Sequence, residues 1–354
     1  MKVTLRRQDA EMRFPVRSAG QRHARRSRLF LEVEHKGVTG YGEIAPQPEE
    51  LNGDAAIADV IDEVRIFVVP QLEQILEREG DFPSWTRVAR FAGSRAASNP
   101  AVALLEMALL DRELRVARET IDSLWPATFD TPLQTTVSLI DDGAWSVDAY
   151  AARVRAKISP APLSRSALQR LSELSAPVLL DYNCSAHSDV DVIEQVRIVR
   201  DVANVVAVEQ PYAVGNVVDT ARLAEQLAVP LSVDEGVRSV RDVAQLVRYR
   251  AAEIICVKPA RVGGLANART IIVEAREAGL RPYLGGFFES PYARSVHRSL
   301  ARNCVDQPSD LGPVDVVGED SSREVDVVAD GFGVRPSAEM LEHGAVLVNV
   351  EVRI

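Results

Sequence analysis

From about residue 131 onward, short apolar segments alternate with helix-patterned ones at a spacing of ~25 residues, and few architectures accommodate that rhythm. The short segments are TTVSL (135–139), VRAKIS (154–159), PVLLDYN (177–183), VVAVEQP (205–211), PLSVDEG (230–236), EIICVKP (253–259) and RPYLGGFF (281–288). Between them run SALQRLSEL, VDVIEQVRIVR, VVDTARLAEQL and NARTIIVEAREAG, each with apolar residues at helical spacing. Parallel strands joined by right-handed helical crossovers explain this pattern. The strand count and even spacing predict an α/β chain with a parallel barrel ringed by helices. A doubly wound open sheet is the rival architecture.

The flanks read differently. Residues 1–45 are strand-patterned: SRLFLEVEHKG alternates apolar and polar residues, and VTGYGEIAP follows after a short turn, as in a hairpin. The stretch VRSAGQRHARRSR before it carries Arg17, Arg22, Arg25, Arg26 and Arg28 together with His23, and reads as a basic loop over 17–28. Residues 54–78 and 100–118 have helical periodicity. PAVALLEMALLDREL begins with Pro and is apolar on more than one face, which predicts a well-buried helix. The tail ends in an alternating strand expected to pair with the N-terminal sheet. The expected organisation is a capping unit over 1–125, a barrel over 126–325 and a returning tail over 326–354.

Composition excludes several classes of function. A formal net charge of −10 argues against general nucleic-acid binding. No apolar run reaches transmembrane length, and the start MKVTLRRQDAEMRF does not read as a signal peptide. Cys184, Cys256 and Cys304 cannot all pair internally and form no CxxC, which fits free thiols in a reducing cytoplasm.

The chain uses only four lysines, Lys2, Lys36, Lys157 and Lys258, against many arginines. Lysine can lose its proton where arginine cannot, so a lysine inside an apolar strand is a candidate for proton transfer. Lys157 and Lys258 sit in such strands. Between them lie Asp181, Glu209 and Asp234, each near the end of a successive strand, at spacings of 24, 28, 25 and 24 residues along the series 157–181–209–234–258. Consecutive strand ends converge on one face of a barrel, where active sites lie. Three carboxylates gathered there repel one another unless a hard cation is present. Mg²⁺ is the natural occupant, with Mn²⁺ as an alternative. Taken singly, each acid also reads as a helix cap, and the five together also read as a buried salt-bridge ring. A Schiff-base aldolase using Lys258 as nucleophile is a further reading of the lysines, although that chemistry needs no metal.

These motifs, in this order, resemble the enolase superfamily, specifically its muconate-lactonizing subgroup. GYGEIAP resembles the first-domain motif and LLEMALLDREL the helix before the barrel. Lys157 matches the second lysine of the family's K-x-K motif. Asp181 and Asn183 match its Asp-x-Asn, Glu209 to Pro211 its Glu-Gln-Pro, Asp234 and Glu235 its Asp-Glu pair, and Lys258 to Gly264 its Lys-Pro-x-x-x-Gly-Gly. GGFFES with Glu289 resembles the last strand motif. The resemblance implies a modified (β/α)7β TIM-type barrel under an α+β capping domain formed by the N-terminal region and the C-terminal tail. It implies Mg²⁺ on Asp181, Glu209 and Asp234, and catalysis by Lys157 and Lys258. Arg155, Asn183, Glu235, Ser138, Arg261 and Glu289 would support the metal ligands or touch substrate. One departure stands out: the first position of K-x-K is Arg155, which carries charge but does not transfer a proton.

The activity implied is Mg²⁺-dependent removal of the proton α to a carboxylate through an enediolate, with dehydration of the o-succinylbenzoate synthase type as the leading reading. Racemisation or epimerisation of N-acylamino acids or dipeptides, and cycloisomerisation, are alternatives, as is a non-catalytic homologue. A small anionic carboxylate is the expected substrate, with the basic segment 17–28 drawing it in. No nucleic-acid or membrane partner is expected, and relatives of this kind often assemble as homo-oligomers. Phe287, Phe288 and Tyr292 are expected to line an apolar wall. Cys184 and His187 take no functional role.

Overall fold

A computed structural model of the chain describes residues 2–18, 21–91, 93, 97–138, 151–311 and 324–351. The N-terminal part is an antiparallel sheet of β1 (Lys2–Ser18), β2 (Gln21–His35) and β3 (Val38–Ile44). Lys36 and Gly37, both at positive φ, form the tight turn between β2 and β3 that the alternation predicts. The supposed basic loop is not a loop. Residues 17–18 and 21–28 belong to the paired strands β1 and β2, in which Arg17 pairs with Arg22 and Gln8 with Arg28. Arginine is no bar to a strand when its stem packs and its head is satisfied, and Arg26 and Arg28 are both buried.

Helices α1 (Ile57–Glu63), α2 (Val69–Glu79), α3 (Trp85–Ala89), α4 (Asn99–Ala117) and α5 (Ile121–Leu124) follow, with a π-turn over Val64–Val68 joining α1 to α2. Helix α4 starts at the Ser98 cap, with Pro100 in its first turn, and is buried on most of its circumference. It lies directly on β3. An added Cβ at Gly42 would stand 2.2 Å from the Leu104 carbonyl oxygen, so the GYGEIAP motif owes its glycine to this close approach.

Among the described residues, seven parallel strands then form the second sheet in sequence order: β4 (Gln134–Ser138), β5 (Arg153–Lys157), β6 (Val178–Asp181), β7 (Val205–Glu209), β8 (Leu231–Val233), β9 (Ile254–Val257) and β10 (Arg281–Leu284). The outer helices are α6 (Arg165–Ser172), α7 (Asp189–Arg200), α8 (Val217–Ala224), α9 (Val240–Tyr249), α10 (Pro259–Val262), α11 (Leu265–Glu277) and α12 (Pro291–Cys304). The two sheet edges are joined by one short segment. The Gln134 amide donates to the Ser309 carbonyl, and the Asp310 amide donates to the Leu284 carbonyl. This closure excludes the open-sheet alternative. The small pair β11 (Val325–Val327) and β12 (Val334–Pro336), helix α13 (Ala338–Glu342) and β13 (Ala345–Glu351) complete the chain, and β13 pairs antiparallel with β1. Among the described residues, no helix is long and apolar enough to cross a membrane.

Buried carboxylates on the capping side hold the two parts together. Glu43 accepts from the amides of Ser290 and Ala293 at the start of α12, and Glu106 accepts from those of Leu265 and Ala266 at the start of α11. Each meets the exposed donors and positive end of a helix. Burial still pushes both carboxyls up to about 7. A raised folded pKa means the folded state binds more protons between about pH 4.5 and 7, so this contribution to stability is lost as pH rises through that window. For Glu106 the loss is on the order of 3 kcal/mol. In urea unfolding at pH 5 and pH 7.5, Glu106→Gln is expected to show a shallower fall in stability than the parent chain. Equal falls would mean that Glu106 is ionised throughout.

Candidate active site

In β5 the alternation Arg153–Val154–Arg155–Ala156–Lys157 sends the three cations to one face and the small apolar residues to the other. Val154 and Ala156 join the cluster beneath the helices, while Arg155 and Lys157 line a cleft at the strand ends. Register places Lys157, Asp181 and Glu209 side by side across β5, β6 and β7. Asp234 and Lys258 stand one residue beyond β8 and β9. All five are buried.

Two lysines and two arginines, Lys157, Lys258, Arg155 and Arg261, bind the three carboxylates into a single network. Lys157 Nζ donates to Asp181 Oδ2 and to Asn183 Oδ1, both at 2.8 Å. Lys258 Nζ donates to Asp234 Oδ2 at 2.9 Å. Arg155 reaches all three acids: Nε lies 2.8 Å from Asp181 Oδ2, and Nη2 lies 2.7 Å from Asp234 Oδ2 and also contacts Glu209. Its Nη1 donates to Asp310 at 3.1 Å. Glu209 further accepts from Ser232 at 2.7 Å and from the Tyr283 hydroxyl. Asn183 donates to Glu235 at 3.1 Å and thereby orients the oxygen that holds Lys157.

Burial raises every one of these carboxyls, and the neighbouring charges decide the outcome. Around Asp181, Arg155 and Lys157 overcome burial and hold the carboxyl below its ordinary value. Around Asp234, Lys258, Arg261 and Arg155 hold it well below. Glu209 stays raised, because burial and its two acidic neighbours outweigh Arg155. Glu235 is pushed up to about 7 by burial and then by Asp234 and Asp181. Burial also lowers Lys258, but Asp234 more than compensates, so this ammonium is held above its ordinary value. The lowered lysine pKa expected for a base is therefore not a property of Lys258 with these partners.

The other anticipated residues divide. Arg261 lines the cleft, but its donors are engaged: it forks onto Asp54 at 2.8 and 2.7 Å and reaches the Asp234 carbonyl at 3.0 Å. Phe287 and Phe288 form a wall, with Lys258 Nζ 4.7 Å from the Phe287 ring centre. Tyr292 is not part of it. Tyr292 is buried, and its hydroxyl donates to the Tyr41 carbonyl. Glu289 accepts from the Phe287 amide at 2.9 Å and so holds the wall from behind. Ser138 closes β4 beside Lys157, and its side chain lies outside the described residues. His187 is exposed.

The capping side also contributes. His23 and Arg26, from the basic segment expected to draw substrate in, line the cleft, and so do Gln47, Asn52 and Asp54 beyond β3, which sequence reasoning did not single out. Asn52 donates to the Asn183 carbonyl at 3.2 Å. Nothing in LNGDAA marks Asp54 apart from ordinary loop acids. Among the described residues, five non-glycine residues around the cleft have positive φ: Asn52 (52°), Asn183 (45°), Cys184 (66°), Gln210 (36°) and Phe288 (65°). Such backbone strain concentrates where function requires a side chain to be aimed. The Gln210 carboxamide oxygen accepts from the amides of Asp234 and Gly236 at 3.0 and 3.1 Å, which fixes the turn that presents Asp234.

Asp181, Glu209 and Asp234 offer the oxygen donors that a hard divalent ion takes. Glu209 Oε1 is buried and accepts no hydrogen bond, its partner being the ion-pair contact with Arg155. Among the described residues, no group of three or more His, Cys, Asp or Glu side chains is spaced to hold an ion as it stands. The Arg155 guanidinium lies among the three acids. Donor type and number therefore fit a divalent ion, with Arg155 as its competitor.

A profile of the family described as enolase C-terminal domain-like matches residues 147–338. The chain is 26% identical to the o-succinylbenzoate synthase of Bacillus subtilis strain 168, over 85% of this chain and 81% of that protein. It is 25% identical to the N-succinylamino acid racemase of an Amycolatopsis species, over 96% of each. The solved structure of the N-succinyl Arg/Lys racemase from Bacillus cereus superposes with a TM-score of 0.80, covering 100% of this chain and 99% of that one, at 16% identity, which bears on the fold alone.

Proposed function

This chain belongs to the enolase superfamily and is an enzyme of it, and from that premise we propose that it removes the proton α to a substrate carboxylate by way of an enediolate. The observation that carries this reading is the pair Lys157 and Lys258, held on either side of one carboxylate trio and both open to the same cleft. Asp181, Glu209 and Asp234 would hold Mg²⁺ or Mn²⁺. When bound, that ion supplies the positive charge that offsets the negative charge building on the substrate carboxylate. Lys157 takes the proton, and Asn183 and Glu235 aim its Nζ. Lys258 faces the same substrate as a cation or as a second base. Phe287 and Phe288 exclude water from the reacting carbon.

Dehydration of the o-succinylbenzoate synthase type is the first choice, supported by the Bacillus subtilis relative. It needs one base and one cation, and this site provides both. The presence of a second lysine with an equivalent carboxylate partner favours N-succinylamino acid racemisation as the other reading, since racemisation needs a base on each face. The test is incubation with Mg²⁺ in D₂O with N-succinylamino acids, alongside the cyclic hydroxy-acid precursor of o-succinylbenzoate. Deuterium entry at the α-carbon or loss of water is expected, and EDTA is expected to stop it. No reaction with any of these substrates would refute the proposal. Borohydride trapping of Lys258 without EDTA sensitivity would point to an aldolase.

A further inference from the structure

We infer that Arg155 is a built-in counter-cation of the carboxylate trio, one that a divalent ion must displace, so that this chain binds its ion more weakly than the same site would without the guanidinium. The inference rests on the metal-centre reading proposed above. Arg155 is 2% exposed, and a single guanidinium touches Asp181, Glu209 and Asp234, one acid from each of three successive strands. Its planar fork makes this possible, whereas an ammonium is a single point of charge. With Lys157 on Asp181, Lys258 on Asp234, and Arg261 shared between Asp234 and Asp54, four cations already balance the trio and Asp54. Adding a dication to this buried group leaves two positive charges in excess unless a cation withdraws. Arg155 keeps its proton at any ordinary pH, so it yields only by moving its head.

The structure also provides a destination. Arg155 Nη1 already donates to Asp310, on the segment that closes the barrel. Asp310 lines the cleft and lies outside the trio. A guanidinium turning onto Asp310 keeps a carboxylate partner while releasing the oxygens it shares with Lys157 and Lys258.

The test measures Mn²⁺ binding by calorimetry, and thermal unfolding with and without Mn²⁺, in metal-stripped full-length protein. Arg155→Met is expected to bind Mn²⁺ at least about tenfold more tightly than the parent chain, to unfold at lower temperature without the ion, and to gain more from it. Arg155→Lys, which preserves the charge and the fold of the strand, is expected to bind several-fold more tightly, because an ammonium cannot span three acids. Asp310→Asn, which removes the destination, is expected to bind more weakly. Equal or weaker affinity in Arg155→Lys, or in a folded Arg155→Met, overturns the inference while leaving the metal centre standing. No Mn²⁺ binding by any of the proteins, parent included, overturns the metal-centre reading and the inference with it.

Discussion

Replacing Lys157 with alanine is expected to lower α-proton exchange by about 10²–10⁴-fold, the usual worth of a positioned acid–base group. Lys157 is the last residue of β5, 6% exposed, with its Nζ fixed by Asp181 and Asn183. Among the described residues, the only other lysine lining the cleft is Lys258. Lys157→Arg keeps the charge and the contact with Asp181 but gives up no proton at ordinary pH. It is therefore expected to be as inactive as the alanine variant. Deuterium exchange followed by proton NMR reads both, and an active arginine variant would show that position 157 serves only as a charge. The partner substitution separates the two reactions under Proposed function. Lys258→Ala is expected to abolish racemisation, while one-base dehydration keeps a residue of its rate.

Asp234→Asn is expected to reduce stability by about 3–5 kcal/mol as well as activity, because it strips the shared partner from buried cations. Arg155 lies 2.7 Å and Lys258 2.9 Å from Asp234 Oδ2, and Arg261 pairs with the other oxygen. All four groups are buried, so water offers little compensation. The pH dependence has the opposite sign to that of Glu106. The Asp234 carboxyl is held well below its ordinary value, so its contribution is present above about pH 4 and is lost as pH falls. Chemical unfolding at pH 7 and at about pH 3, inside the window where the contribution is being lost, checks both points. The variant is expected to be the weaker protein at pH 7, with the gap narrowing in acid. A variant as stable as its parent at pH 7 would show that Arg155, Lys258 and Arg261 find other partners.

The tier of polar residues at the strand ends was legible in the sequence because strand geometry is nearly deterministic. Side chains alternate, parallel neighbours align, and an acid at the end of each apolar run must emerge on the same rim. Lys157, Asp181 and Glu209 accordingly stand in register. The hairpin arm failed for a related reason. Its arginines mimic the composition of a loop, and only the neighbours in the fold show that Arg26 and Arg28 are buried. Arg26 Nη2 donates to the Ala45 carbonyl at 2.6 Å, and its Nη1 to Gln47. No local pattern signals either contact.

Arg155 marks the division most clearly. Its strand, its facing and its place beside Lys157 follow from five consecutive residues. Its contacts with Glu209, Asp234 and Asp310 join segments as much as 155 residues apart. Asp54 likewise gains its meaning only from Arg261, 207 residues away. The local pattern of the chain determined which side chains reach the rim of the barrel, because that depends on a two-residue repeat. Closure of the barrel and docking of the cap decided which of them touch, because a contact between distant segments depends on how whole elements pack.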